Sequence, residues 1–279
     1  MATGLATPDP PNLANVINLY GGRRGHDLAT SLGMRLLPLV ALTLSFATAC
    51  AMEVDDEGLG EHEEVEDFVV DPADGKSDGV PATFDANTIV SDPMLTTATA
   101  MTVDDVQAFF EKSPYNNRSW LASYSEDGVS AAELIVRAAV THDVNPLILI
   151  ARMQVETSMV SKTVQPTQRT INRALGCGCP DGASCNPAYS GLQKQLDCGA
   201  RIMRKWYDGS IDGTGAWKRG VSKSTLDPRR VTPANHATAS FYAYTPWVLV
   251  GRGGCWLAWN VTRKYVRHAE ATGLLTVPE

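Results

Sequence analysis

Asn145-Pro-Leu-Ile-Leu-Ile-Ala-Arg-Met-Gln-Val-Glu156 is the stretch on which the fold of this 279-residue chain turns. Asn at a helix N-cap accepts an orphan backbone N–H, and Pro in the first turn gives up no intrahelical bond. The residues that follow are apolar on most sides, which predicts a helix buried at the centre of a domain. Upstream, Ser130-Ala-Ala-Glu133 is a capping box, followed at helical spacing by Leu134, Ile135, Ala138 and Ala139. Thr102, with Asp105 at the third helical position, opens a helix through Val103, Val106, Phe109 and Phe110. Downstream, the pattern predicts a helix from Tyr189 to Tyr207 ended by Asp208-Gly209. Another opens at Thr232-Pro233, runs through Ala237 to Tyr244 and stops at Pro246, and a last one spans Trp256 to Ala271. Strand signals are sparse, and there is no internal repeat and no Gly-rich phosphate loop. The expectation is a mainly α domain with long loops over residues 96–279.

Charge separates that domain from what precedes it. The chain carries −7 overall, but residues 51–80 hold twelve Asp and Glu against Lys76 alone. With residues 1–50 at +1, residues 81–279 are left at +3. Residues 51–95 therefore read as an acidic, disordered linker whose like charges repel, and the folded part is mildly basic, which suits an anionic polymer. In front of it, Met34 to Cys50 has a charged start, about a dozen apolar residues and the small residues Ala47-Thr48-Ala49 before Cys50. That apolar run is too short to span a bilayer of roughly 30 Å as a helix. It is the layout of a secretory signal, and residues 1–50 are assigned as leader and signal segment. Met34 is an alternative start, and Arg23-Arg24 belong to an extended leader if Met1 is used. Cys50 resembles the lipidated cysteine of a bacterial lipoprotein box, with Ala47 where Leu is usual; the alternative is an ordinary cleaved signal with an incidental cysteine.

Glu156 is the first candidate for chemistry. Burial disfavours an ionised carboxylate, and a raised proton affinity is what a glycosidic general acid needs. From spacing alone the same residue reads first as an exposed Glu in a last helical turn, or as the partner of Arg152 four residues back. Tyr242, Tyr244 and Trp247 form an aromatic cluster able to stack on sugars, or to serve as core with a polar tip. Tyr242 and Tyr244 lie two apart and cannot share a helical face, and Tyr244 is the one expected at a cleft. Asp181 and Asp197 are the candidates for a second carboxylate, although Asp181 before Gly182 also marks a turn. With Cys50 set aside, Cys177, Cys179, Cys185, Cys198 and Cys255 remain. Their spacing lacks the paired knuckles of a zinc site, so no metal and no cofactor are expected. In an oxidising compartment the expectation is Cys179–Cys185 and Cys177–Cys198, leaving Cys255 free, though spacing does not determine connectivity. A catalytic cysteine would need His142, His236 or His268 beside it, and none lies in a recognisable peptidase motif.

The Asn145–Glu156 helix, led by Asn-Pro and ending in Gln154-x-Glu156, resembles a family of secreted bacterial lysozyme-like proteins described as glucosaminidase-like or peptidoglycan-hydrolase-like. Three further stretches resemble the same family in the same order. They are Met101-Thr102-Val-Asp-Asp-Val-Gln107-Ala-Phe109-Phe110, Cys179-Pro-Asp-Gly-Ala-Ser-Cys185, and Ala237-Thr-Ala-Ser-Phe-Tyr-Ala-Tyr-Thr-Pro-Trp247. More distantly the chain is similar to lytic transglycosylases and goose-type lysozymes, whose helix ends in Glu-Ser. Here Thr157-Ser158 follows the Glu, so the Ser is displaced by one.

The resemblance implies a lysozyme-like fold and cleavage of peptidoglycan or a related amino-sugar polymer. Glu156 would be the general acid, with Tyr242, Tyr244, Trp247 and Gln154 lining the glycan site. Gln154, on the opposite side of its helix from Glu156, is also readable as a packing residue. A glycosidase normally uses two carboxylates, whereas a lytic transglycosylase can use one Glu for both proton transfers. The expectation is thus an exported, lipid-anchored monomer facing the periplasm or cell surface, with no nucleic-acid partner. The alternative is a non-catalytic surface lipoprotein that binds glycan or a protein on the same scaffold.

Overall fold

The structure, a computed structural model, describes residues 79–180 and 184–277, all within one compact unit. The signal segment with Cys50, most of the acidic linker and Asp181 lie outside the described residues.

Among the described residues eight α-helices carry the fold: α1 Asp92–Thr96, α2 Val103–Glu111, α3 Ala131–His142, α4 Pro146–Thr157, α5 Gln168–Ile171, α6 Leu192–Asp212, α7 His236–Tyr244 and α8 Gly254–Ala271. Two antiparallel hairpins complete it, β1 Ser125–Glu126 with β2 Val129–Ser130, and β3 Lys223–Ser224 with β4 Arg230–Val231. The domain is mainly α, as its pattern predicts.

The local start signals act as read. Thr102 and Asp105 form a reciprocal capping box, Ser130 accepts the Glu133 amide, and Asn145 accepts the Leu147 amide at 2.9 Å. Every residue of α4 from Pro146 to Gln154 is buried. Leu147, Ile148, Leu149, Ile150 and Met153 are fully so, each contributing about 2 kcal/mol of transfer free energy. Helix α4 packs on α8 and α3, and α6 packs on α7 and α3. The axes of α3 and α4 turn by 116°, with Asp143 in the left-handed region between them. Among the described residues no single helix is long and apolar enough to cross a membrane.

Three expectations need correction. Residues 79–95, read as the end of the linker, belong to the body: Val80, Ile89, Val90, Met94 and Leu95 are buried. Their partners are remote in sequence. The Ile89 amide donates to Thr238 Oγ1 at 2.9 Å, Asn87 accepts from Thr232 at 2.7 Å, and Asp92 accepts the Ala237 amide at 2.7 Å. Helix α7 starts at His236, capped by Asn235, because the Thr232 amide is held by Asn87.

Helix α6 begins at Leu192, after a short 3₁₀ turn at Pro187–Tyr189, and runs through Gly209 to Asp212. Gly209 serves close approach: its carbonyl accepts the Gly215 amide at 2.7 Å, and a Cβ there would stand 3.0 Å from Gly215 Cα. The stop is Gly213, at φ +80°. In an open helix interior Gly→Ala stabilises by about 1 kcal/mol. Here the opposing atoms are backbone, so Gly209→Ala is expected to destabilise by about 1–2 kcal/mol. A urea titration checks the sign; a raised midpoint would mean that the Gly215 turn yields freely.

Candidate functional site

Glu156 occupies the last turn of α4, and three segments meet at its ion pair with Arg152. Within its own helix, Arg152 Nη2 hydrogen-bonds Glu156 Oε1. The Arg152 side chain is buried, while that of Glu156 is 27% exposed. From the end of α7, Thr245 Oγ1 accepts from the same Nη2 at 3.0 Å, and the Tyr244 ring lies under the guanidinium, 4.4 Å from Cζ to centroid. From the loop after α5, Gly176 faces the carboxylate so closely that a Cβ would stand 3.1 Å from Oε2. At φ +67° that position favours Gly twice over. The Tyr244 hydroxyl donates to the Leu175 carbonyl, tying the α7 end to this loop. Burial pushes that hydroxyl's proton affinity up, and the Glu156 carboxylate adds to it against the opposing Arg152, so the phenol stays a donor.

What holds residues 175–177 is Gln195, fully buried on α6. Its Oε1 accepts the Leu175 amide at 3.2 Å and the Cys177 amide at 3.1 Å. Its Nε2 donates to the Cys177 carbonyl at 2.7 Å and the Tyr189 carbonyl at 2.9 Å. The Cys177–Cys198 disulfide fixes the same loop to α6, and Cys179–Cys185 closes the small loop beyond it, the two pairs expected. Glu126, from the β1–β2 hairpin, caps α6 across 66 residues, accepting the Leu192 amide at 2.6 Å. A carboxylate there complements both the orphan amides and the positive helix end. Neither Gln195 nor Glu126 carried a sequence signal, because their partners are backbone groups elsewhere in the chain.

The remaining candidates separate. Tyr242 is a core residue: fully buried, stacked on Trp217 with centroids 4.9 Å apart, its hydroxyl donating to the Ala86 carbonyl. Gln154 is also buried, with Oε1 accepting the Val160 and Ser161 amides and Nε2 donating to Ser161 Oγ. Its amide is spent on fastening the segment after α4, so it is a packing and positioning residue. Trp247 is half-buried, just beyond Thr245.

Asp197 does not face Glu156. It bonds His142 Nε2 at 2.7 Å on the exposed side of α6, whereas Gln195, two residues earlier and hence on another face, points at residues 175–177. Cys255 is free and buried; burial pushes its thiol up, and it donates to the Thr245 carbonyl. His142, His236 and His268 bond Asp197, Ser210 and the Lys112 carbonyl, not a cysteine. Among the described residues no group of three His, Cys, Asp or Glu is placed to hold a metal ion.

The segment carrying Thr245 and Trp247 is anchored by Asp227, which accepts the Val248 amide at 2.9 Å, the Leu249 amide at 3.0 Å and the Thr225 hydroxyl at 2.7 Å. Burial works to raise this carboxyl, but the hydrogen bonds from Leu249, Thr225 and Val248 outweigh it and hold the group below the usual carboxylate value. A depressed folded-state value gives stability that is fully present above the unfolded value of about 4 and is lost as pH falls through the folded one. Asp227→Asn is therefore expected to lower the urea midpoint at pH 7, with the gap to wild type closing below about pH 4. A gap that stays constant down to pH 2 would show that ionisation of Asp227 contributes nothing.

No family model, curated protein or solved structure matches this chain. Fold and site define a mainly helical domain with two disulfides that gathers one partly exposed carboxylate, a buried arginine and a tyrosine at the end of its central helix.

Proposed function

We propose that the domain is a lysozyme-like enzyme that cleaves the glycan backbone of peptidoglycan or a related amino-sugar polymer, by hydrolysis or as a lytic transglycosylase, with Glu156 transferring the proton. The observation that carries this reading is the convergence of the 175–177 loop on Glu156 and of the end of α7 on its partner Arg152, around one carboxylate that keeps 27% of its side-chain surface open. Of the two candidates for a second carboxylate, the one among the described residues, Asp197, is bound to His142 on another face, which favours the route in which one Glu serves both proton transfers. Tyr244 and Trp247 are the aromatic residues proposed to contact sugar. Two disulfides suit an oxidising compartment. The reading therefore includes export on the 34–50 signal, lipidation at Cys50, and a monomer tethered to a membrane facing the periplasm or cell surface, with no nucleic-acid partner.

The ion pair favours a second reading. A guanidinium on a carboxylate stabilises the anion, which suits a scaffold that binds glycan or a protein without cutting. A zymogram on cell-wall material, comparing wild type with Glu156→Gln, separates the two. Clearing lost in the variant supports the enzyme, whereas no clearing by either, with retained sedimentation on peptidoglycan, supports the binder. Mass analysis of the fragments then tells hydrolysis from anhydro-sugar formation.

Arg152→Met is the sharpest probe of the pair. Arg152 Nε and Nη1 are buried without a hydrogen-bond partner among the described residues, and such groups cost about 1–3 kcal/mol each. A methionine of similar volume removes that cost, and the partly exposed Glu156 can rehydrate. The variant is expected to be as stable as wild type or up to about 2 kcal/mol more stable. Its activity should fall by about 10²-fold as Glu156 loses its orientation. A destabilisation above about 3 kcal/mol in chemical denaturation would mean that the pair itself holds the fold.

A further inference from the structure

The β3–β4 hairpin and its approach hold Lys218, Arg219, Lys223, Arg229 and Arg230 within thirteen residues, against Asp227 alone. The Asp227 carboxylate is already committed to the Val248 and Leu249 amides. Arg219, Lys223, Arg229 and Arg230 are exposed, and Lys218 is half-buried. None of the five forms an ion pair with another described residue. Residues 53–78 carry the opposite charge, with twelve acidic side chains against Lys76.

The two are also joined at close range. The described chain begins at Gly79, and Asn87 is hydrogen-bonded to the Thr232 amide at 2.7 Å and the Ala234 amide at 2.8 Å, next to the end of β4. Gly79 itself is near that end: its carbonyl accepts the Ser91 amide at 2.7 Å, and the adjoining Val90 carbonyl accepts Asn235 Nδ2 at 2.8 Å, four residues past β4. The acidic segment therefore enters the domain beside the basic hairpin, which gives the two an effective concentration on the order of millimolar.

We propose that the β3–β4 basic surface is the docking site of the chain's own acidic segment 53–78, which holds the surface against other polyanions. The contact is many-sided and not built on one geometry: single exposed pairs are weak, and the covalent link is what makes their sum effective. It follows that salt releases it, since screening shortens from about 8 Å at 0.15 M to about 3 Å at 1 M. The inference does not rest on any activity of Glu156.

Carbodiimide coupling of the full chain tests it, since the reagent joins a carboxyl to a lysine amine with loss of water. At low salt, couplings from residues 53–78 are expected at Lys218 and Lys223 at least five-fold above the exposed Lys112, Lys162, Lys194 and Lys205. They should fall at least five-fold in R219E/R229E/R230E, which leaves both acceptor lysines in place. Single Arg229→Glu carries the same test if the triple variant melts early. Couplings spread evenly over the lysines, or unmoved by charge reversal, overturn the proposal. In a second arm, polyglutamate is titrated against the full chain and against a variant with the twelve acidic residues changed to Asn and Gln. The neutralised chain should bind at least ten-fold more tightly at low salt, the difference vanishing toward 1 M. Equal affinity would mean that the surface stands open to outside polyanions and that the segment does not occupy it.

Discussion

Glu156→Gln is expected, on the proposed lysozyme-like reading, to lower the rate of glycan cleavage by about 10²–10⁴-fold, the loss of one general acid–base group. The substitution keeps the side chain's length and a carbonyl oxygen for Arg152 Nη2, so the buried guanidinium is not left bare, and circular dichroism should be unchanged. Glu156→Asp is the companion test. It keeps the acid but withdraws it by one methylene from Gly176 and Arg152, and a displacement of about 1 Å is enough to cost on the order of 10² in rate. Release of soluble fragments from purified peptidoglycan gives the measurement. If the Gln variant cuts as fast as wild type, no chemical step in this protein needs that carboxyl, and the binding reading takes over.

Gln195→Ala is expected to produce the largest loss of stability, about 4 kcal/mol. The Leu175 and Cys177 amides lose their acceptor, and the Cys177 and Tyr189 carbonyls lose a donor. Each buried group left without a partner costs about 1–3 kcal/mol, and some will find water. Gln195→Leu separates hydrogen bonding from volume: it fills the space and restores no bond, so its cost should match that of Ala within about 1 kcal/mol. The Cys177–Cys198 bond, at a sequence separation of 21, is worth about 3 kcal/mol in the same loop. Reduction on top of the substitution should therefore unfold the domain at moderate urea. A Gln195→Ala loss under about 1 kcal/mol would show that the disulfide alone holds the loop, and that Gln195 does not set the position of Gly176 against Glu156.

The two experiments probe different layers of the site. Glu156 was visible in the sequence because a carboxylate at the tail of an apolar helix is unusual, and Arg152 because it stands four residues before it. Gln195 was not visible, since an amide on an amphipathic helix says nothing about which backbone it will meet. Tyr242 and Tyr244 show the same division. Their spacing placed them on different faces of one helix, which the fold obeys, but which of them met the core depended on Trp217 and the Ala86 carbonyl.

By itself, the sequence determined what is short-range: caps at Thr102, Ser130 and Asn145, whose side chains reach amides two or three residues on, and the all-round apolar α4 that has to be buried. The paired cysteines lie only 6 and 21 residues apart, so little chain entropy opposes closure, but spacing alone leaves the pairing open. Only the tertiary structure decided that residues 79–95 belong to the body, that α6 runs past Gly209, and that Gln154 faces inward. It alone set Gly176 against Glu156, and Tyr244 and Thr245 against its partner Arg152. Each of these outcomes is settled by a backbone group or a packing partner supplied by another part of the folded chain, and a local pattern of residues contains no term for it.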